Sequence, residues 1–295
     1  MGKIKTVNSI SGGKTSGYIA VHFPADYELF SLVCIDDKKC KPKDKSLVDY
    51  INNKFGDKYI KKYGEFIATA EDDKTLYVMR DLEQLIGRDI KWVRGMSFDD
   101  VIDTGTQTRL PSWARRYCTE KMKLAPIFQW WFENIGEKCN MRIGFRFDEY
   151  DRMERFFNNS SPCNFRIPVS CKTYGHKLQR HEDFNWRHCS FPLIKNAITK
   201  QHIDEFWKTK NIDFPAISNC VGCFHKRPET LAAMAELNPS KMKWFANQEL
   251  KDMGTWLDSK MTYQSLIDNK KELAKEALYE LTILKQSCDS GGCTD

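Results

Sequence analysis

A strand, a glycine turn, a helix and a second strand fill the first 35 residues, and this order constrains the fold more than any other feature of the chain. Lys5 to Ile10 is a short β-branched run, Ser11 to Ser16 is rich in glycine and hydroxyls, and Gly17 to Phe23 starts a helix. Tyr27 to Ile35 is a second apolar run that ends at Asp36-Asp37. A strand–turn–helix–strand unit of this length is a βαβ motif and implies a parallel sheet.

Downstream, the pattern predicts helices over Lys45–Phe55, Leu76–Leu85 and Leu124–Phe132, with strands at Glu65–Thr69, Ile90–Val93 and Met141–Gly144. Residues 155–190, with several Asn, Ser and Pro, read as an irregular insertion or lid. Helices are expected at Ile198–Lys208, Pro228–Leu237 and Leu266–Leu284, before a polar tail, Cys288-Asp-Ser-Gly-Gly-Cys293-Thr-Asp295. The expected division is a nucleotide-binding α/β domain over 1–155, an insertion with a helical metal-site region over 156–285, and a flexible cysteine-containing tail over 286–295. No apolar run of membrane-spanning length occurs, and Met1 to Ile10 lacks the apolar core of a signal peptide, so a cytoplasmic protein without a membrane partner is expected. In that reducing compartment eleven cysteines cannot mainly be disulfides, and some are expected to be metal ligands or redox centres. Others, such as Cys34 within an apolar stretch, read as small buried hydrophobes.

The turn Ser11-Gly12-Gly13-Lys14-Thr15-Ser16 offers backbone amides and a helix N-terminus to an anion. Lys14 adds charge, and Ser11, Thr15 and Ser16 add hydroxyls. The net charge of +6 suits an anionic ligand. A Walker loop is excluded, because it needs glycine at position 8, which is Asn8. At the carboxyl end of the second strand, where open α/β folds bind ligands, Asp36 or Asp37 is a candidate to bond a ligand or hold Mg²⁺, with a solvated acidic turn as the alternative. The run Arg109-Leu-Pro-Ser-Trp-Ala-Arg-Arg-Tyr-Cys118-Thr119, with Lys121 and Lys123, surrounds one cysteine with cations. Asn219-Cys220-Val-Gly-Cys223-Phe-His225 contains a Cys-x-x-Cys turn, half of a metal site.

The loop Ser11 to Ser16 resembles the Ser-Gly-Gly-x-Asp-Ser loop of PP-loop ATP pyrophosphatases, with Thr15 where many members carry Asp. Cys118-x-x-x-x-Lys123-x-x-Pro126 and Gly144-Phe-Arg146-Phe-Asp148-Glu149-Tyr-Asp-Arg152 resemble elements of their phosphoadenosine phosphosulfate (PAPS) reductase-like branch. The resemblance implies an α/β fold with a Rossmann-like, HUP-type parallel sheet flanked by helices, and a C-terminal helical segment bearing a cysteine metal site. It implies ATP or a PAPS-like adenine nucleotide bound on Ser11, Gly12, Gly13, Lys14, Thr15 and Ser16, with Arg146 and Arg152 closing on its anionic groups. It also groups Cys118 with Cys220 and Cys223 around a [4Fe–4S] cluster, with zinc as the alternative. The fourth ligand stays open among Cys189, Cys288 and Cys293, with His225 the better choice for zinc.

Two chemistries follow. In one, ATP activates a substrate for sulfur transfer from a sulfur donor, with Lys14 and Arg146 in the catalytic site and nucleic acid among the acceptors. In the other, Cys288 or Cys293 attacks a bound sulfonucleotide and releases sulfite, and a thiol reductant restores the enzyme. A third reading is a non-catalytic nucleic-acid-binding protein with structural zinc, whose basic run with Trp113 and Tyr117 tracks a phosphate backbone.

Overall fold

In the computed structural model, residues 3–103, 109–112, 115–159, 161–170, 179–251, 254–257 and 261–283 are described. Five parallel strands form the central sheet: β1 (Thr6–Ile10), β2 (Tyr27–Leu32), β5 (Ile90–Arg94), β6 (Cys139–Arg142) and β9 (Arg187–Ser190). Their order is β5-β2-β1-β6-β9, and Val7 of β1 stands opposite both Tyr27 and Met141. Two smaller pairings stand beside the sheet. The short strands β3 (Cys34–Ile35) and β4 (Ala68–Thr69) are antiparallel, and β7 (Asn164–Ser170) and β8 (Gln179–Asn185) form a hairpin.

Both faces of the sheet are covered, as a parallel sheet requires. Alternation along each strand decides which residue meets which layer. Phe30, Leu32, Ile90 and Trp92 face α1 (Lys14–His22), α2 (Lys45–Tyr63), α3 (Lys74–Ile86) and α6 (Lys200–Lys208). Val7, Leu29, Val93 and Met141 face α4 (Ala125–Asn134), whose Trp130 and Trp131 fill the opposite layer with Trp186. Burying each such large side chain contributes about 2–3 kcal/mol. Asp44 caps α2 by accepting from the amides of Ser46 and Leu47, at 2.9 and 3.2 Å, a contribution of about 1 kcal/mol. A third core collects the C-terminal helices α7 (Pro228–Leu237), α8 (Pro239–Glu249) and α9 (Tyr263–Asp268) around Cys220, Cys223 and Trp256.

The expected α/β class and parallel sheet are observed, with several local differences. Residues 155–190 are not an irregular insertion throughout: they hold the end of α5 (Tyr150–Asn159), the β7–β8 hairpin and β9, the last strand of the main sheet. The sheet therefore continues beyond residue 155. The second strand breaks at Val33, where the chain leaves β2 to pair with β4. The helix at Lys45 runs on past Phe55 to Tyr63, bent at Gly56, whose φ is +69°. The predicted helix over Leu266–Leu284 begins earlier and is divided into short turns at Asn269, Ala274 and Tyr279. No described helix is long and apolar enough to cross a membrane.

Candidate functional site

The sheet order reverses direction between β1 and β6, which makes the carboxyl ends of those two strands a topological switch point, where open α/β sheets bind ligands. The loop 11–16 leaves β1 at that point, and the segment 143–152 leaves β6 beside it. A Cβ on Gly144 would stand 3.4 Å from Thr15 Cγ2 and 3.8 Å from the Ser16 amide nitrogen, so the two motifs touch.

The glycines are set by close packing. Gly12 has φ +74°, and a Cβ there would lie 2.4 Å from Thr75 Cγ2 on α3. A Cβ on Gly13 would meet Ser218 Oγ at 2.8 Å. Ser16 holds the turn closed: its hydroxyl accepts from the Ser11 amide at 3.1 Å and donates to the Gly13 carbonyl at 3.1 Å, so the Ser11 hydroxyl, 3.2 Å away, donates to it. Gly13 is the N-cap of α1 and supplies no side chain, which leaves the first-turn amides without a side-chain cap. That is the donor arrangement an anion at a helix N-terminus uses.

Lys14 is engaged by α6. Its ammonium pairs with Asp204 of α6 at 2.7 Å, and its carbonyl accepts from Trp207 Nε1 at 2.8 Å. Both charged side chains are about one-third exposed (31% and 32%), so the pair opens at little cost. Neither Asp204 nor Trp207 carries a sequence signal, since each is an ordinary position on an amphipathic helix.

Arg146 and Arg152 are likewise engaged. Arg146 is buried and donates to Asp148 through Nε at 3.2 Å, and its Nη1 lies 3.4 Å from Glu149. Arg152 pairs with Glu149 at 3.0 Å and lies 4.7 Å over the Phe145 ring. Burial alone would raise Asp148, but the Arg146 guanidinium holds its carboxyl below the usual range. Asp148 also accepts from the Lys200 amide at 3.1 Å, which ties the start of α6 to this turn. Both arginines expected at the nucleotide thus make ion pairs inside their own motif. Asp37 acts as a cap, accepting from the Lys39 amide at 2.8 Å, while the side chain of Asp36 is exposed and its amide donates to Asp99 at 2.7 Å.

The cysteine turn lies on the same edge of the sheet. Ser218 touches Gly13, and two residues later Cys220 lines a small pocket together with Arg116, Cys118, Lys123, Cys223 and His225. Cys118, Cys220 and Cys223, expected together from the sequence, therefore share one wall system. The turn is braced on three sides. The Val221 amide donates to Ala70 O at 2.8 Å, the Tyr263 hydroxyl donates to Gly222 O at 3.0 Å, and the buried Lys226 ammonium donates to Asn219 Oδ1 and the Cys220 carbonyl. Lys123 pairs with the buried Glu71 at 3.0 Å. Burial, reinforced by Arg116, pushes His225 down to about 4, so its imidazole is neutral at pH 7, as a metal ligand requires. Among the described residues no three Cys, His, Asp or Glu side chains stand within joint reach of one ion, so a metal would have to draw these donors together.

Cys189 lies elsewhere, with its Sγ 3.9 Å from that of Cys163, and is not part of this cavity. Cys34 is buried as expected, its thiol pushed up to about 12 by burial. Cys288, Cys293 and Trp113 lie outside the described residues. Compared with family models, curated proteins and solved structures, the chain matches none.

Proposed function

We propose that the chain is a PP-loop enzyme of the PAPS reductase-like kind, with a HUP-type sheet, which binds ATP or a related adenine nucleotide and uses it to activate a substrate for sulfur transfer. The observation that carries this reading is the placement of the uncapped Gly13–Ser16 turn at the β1/β6 switch point, against Gly144 of the arginine motif. The amides of the first turn of α1 hold phosphate oxygens there. Lys14 leaves Asp204 to neutralise them, and the adenosine lies along the carboxyl edge toward Asp36. A substrate oxygen then attacks the α-phosphorus, pyrophosphate departs, and a sulfur nucleophile displaces AMP from the activated substrate. Arg146 and Arg152, oriented by Asp148 and Glu149, stand beside this turn and close on the anionic groups of the nucleotide.

The cysteine cavity offers the donor types of a thiolate-rich metal centre, three thiols and an imidazole, which an ion would have to draw together. Cys118, Cys220, Cys223 and His225 would hold a [4Fe–4S] cluster or zinc. Such a centre, when bound, supplies either electron transfer or a fixed anchor for sulfur.

Anaerobically purified protein, analysed for iron, sulfide and zinc and titrated calorimetrically with ATP and with phosphoadenylyl sulfate, tests both halves. Binding of ATP, with metal present, is expected. A protein that binds neither nucleotide is not a PP-loop enzyme, and a covalent sulfonate adduct on Cys288 or Cys293 would make it a sulfonucleotide reductase instead.

A further inference from the structure

A second group of cysteines stands at the far edge of the sheet, away from the cavity of Cys118. Cys189 lies in β9, Cys139 in the adjacent β6, and Cys163 immediately precedes the β7–β8 hairpin. The Sγ atoms of Cys163 and Cys189 are 3.9 Å apart, which is sulfur–sulfur van der Waals contact. The backbone fixes this approach: the Trp186 and Arg187 amides both point to the Cys163 carbonyl, at 3.1 and 3.5 Å. Cys163 is half-buried and Cys189 is buried, so Cys163 is the more accessible of the two.

The charge in this group is unusual. Arg187 is only 6% exposed, and among the described residues no carboxylate pairs with it. Its Nε donates to the Pro162 carbonyl at 2.7 Å, Nη1 lies 3.1 Å from Met141 Sδ, and the guanidinium sits 4.8 Å over the Trp186 ring. The ionisable groups that act on it are Cys189, Cys163 and Cys139. A buried cation without a carboxylate is costly, and it favours any neighbour able to become an anion.

We infer that Cys163 and Cys189 form a reversible dithiol–disulfide pair, a redox site separate from the nucleotide loop and the metal cavity, with Arg187 as the counter-ion of the reacting thiolate. The co-reactant is a small-molecule disulfide. The Cys163 thiolate attacks one of its sulfurs, a sulfur–sulfur bond breaks, and one thiolate departs, leaving a mixed disulfide on Cys163. Cys189, deprotonated beside Arg187, then attacks the Cys163 sulfur and expels the second thiolate. Two protein thiols lose two electrons and two protons, and one small disulfide becomes two thiols. Burial pushes the Cys189 thiol up to about 12 despite Arg187, so Cys163 rather than Cys189 makes the first attack. The product joins the root of the hairpin to the edge strand.

Full-length protein is incubated with oxidised glutathione, its remaining thiols are alkylated, and its peptides are mapped by mass spectrometry. A Cys163–Cys189 linked peptide is expected, lighter by two hydrogens and reopened by dithiothreitol. Cys189→Ser should instead accumulate glutathione on Cys163, and Cys163→Ser should give neither product. Limited proteolysis within 164–188 should slow on oxidation and recover on reduction. A linkage of Cys163 to Cys139 or Cys171, or alkylation of Cys163 in full after oxidation, would overturn the inference. Oxidation of Cys220 with Cys223 maps to a different peptide and leaves the result readable.

Discussion

The two motifs that meet at the switch point use their polar groups in opposite ways. In the turn 11–16 the hydroxyls of Ser11 and Ser16 hold the loop, the first amides of α1 have no side-chain cap, and Lys14 is held by one half-open ion pair. In the turn 143–152 Arg146 and Arg152 pair with Asp148 and Glu149 of the same motif, and Arg146 is buried in the process. A motif rich in charge is therefore not the one readiest to take a charged ligand. Uncapped backbone and a lightly held cation accept an anion at low cost, whereas a satisfied network must break first.

The comparison can be broken most forcefully at Arg146. Arg146→Ala leaves Asp148 and Glu149 without their shared cation and should cost about 3 kcal/mol in urea unfolding. A loss below about 1 kcal/mol would mean that the arginine is held for ligand rather than for structure. Lys14→Ala should do the reverse. Its effect on stability should stay within about 0.5 kcal/mol, while ATP affinity in calorimetry should fall about tenfold, or about 1.4 kcal/mol. Equal affinity in the variant would remove Lys14 from the phosphate site. The smallest effect is expected at Asp204. Asp204→Asn frees the Lys14 ammonium without removing a packed side chain, and ATP should bind about threefold more tightly. Weaker binding would show that Asp204 orients the lysine instead of competing for it.

What the sequence could disclose depended on how local the determinant was. The β1–loop–α1 unit was legible because β-branched residues, two glycines and hydroxyls lie in one stretch, although α1 starts at Lys14 rather than Gly17. The strand β9 was not, since Arg187-His-Cys-Ser190 carries no apolar alternation, and its pairing with β6 is purely tertiary. Nor was α8, which begins immediately after α7 with only Asn238 between them. At the site, the loop residues and the cysteines of the cavity were readable as motifs. Thr75, Asp204 and Ser218 were not, because each reaches the loop from another element. The contact of Cys163 with Cys189 had no local signature either, since they lie 26 positions apart along the chain.

The position of β1 at the middle of the sheet has a consequence for synthesis on the ribosome. Its partner on one side, β2, follows about 20 residues later, so that edge pairs almost as soon as it emerges. Its partner on the other side comes much later: Asn8 and the opposing Arg142 are 134 residues apart. At translation rates of about 5–20 residues per second, the second edge of β1 waits on the order of ten seconds for its neighbour. During that interval the glycine turn has one wall and the nascent chain displays an open strand, the kind of edge that attracts other strands. The nascent protein is therefore most exposed to misassembly, and most in need of a chaperone, between the emergence of β2 and that of β6.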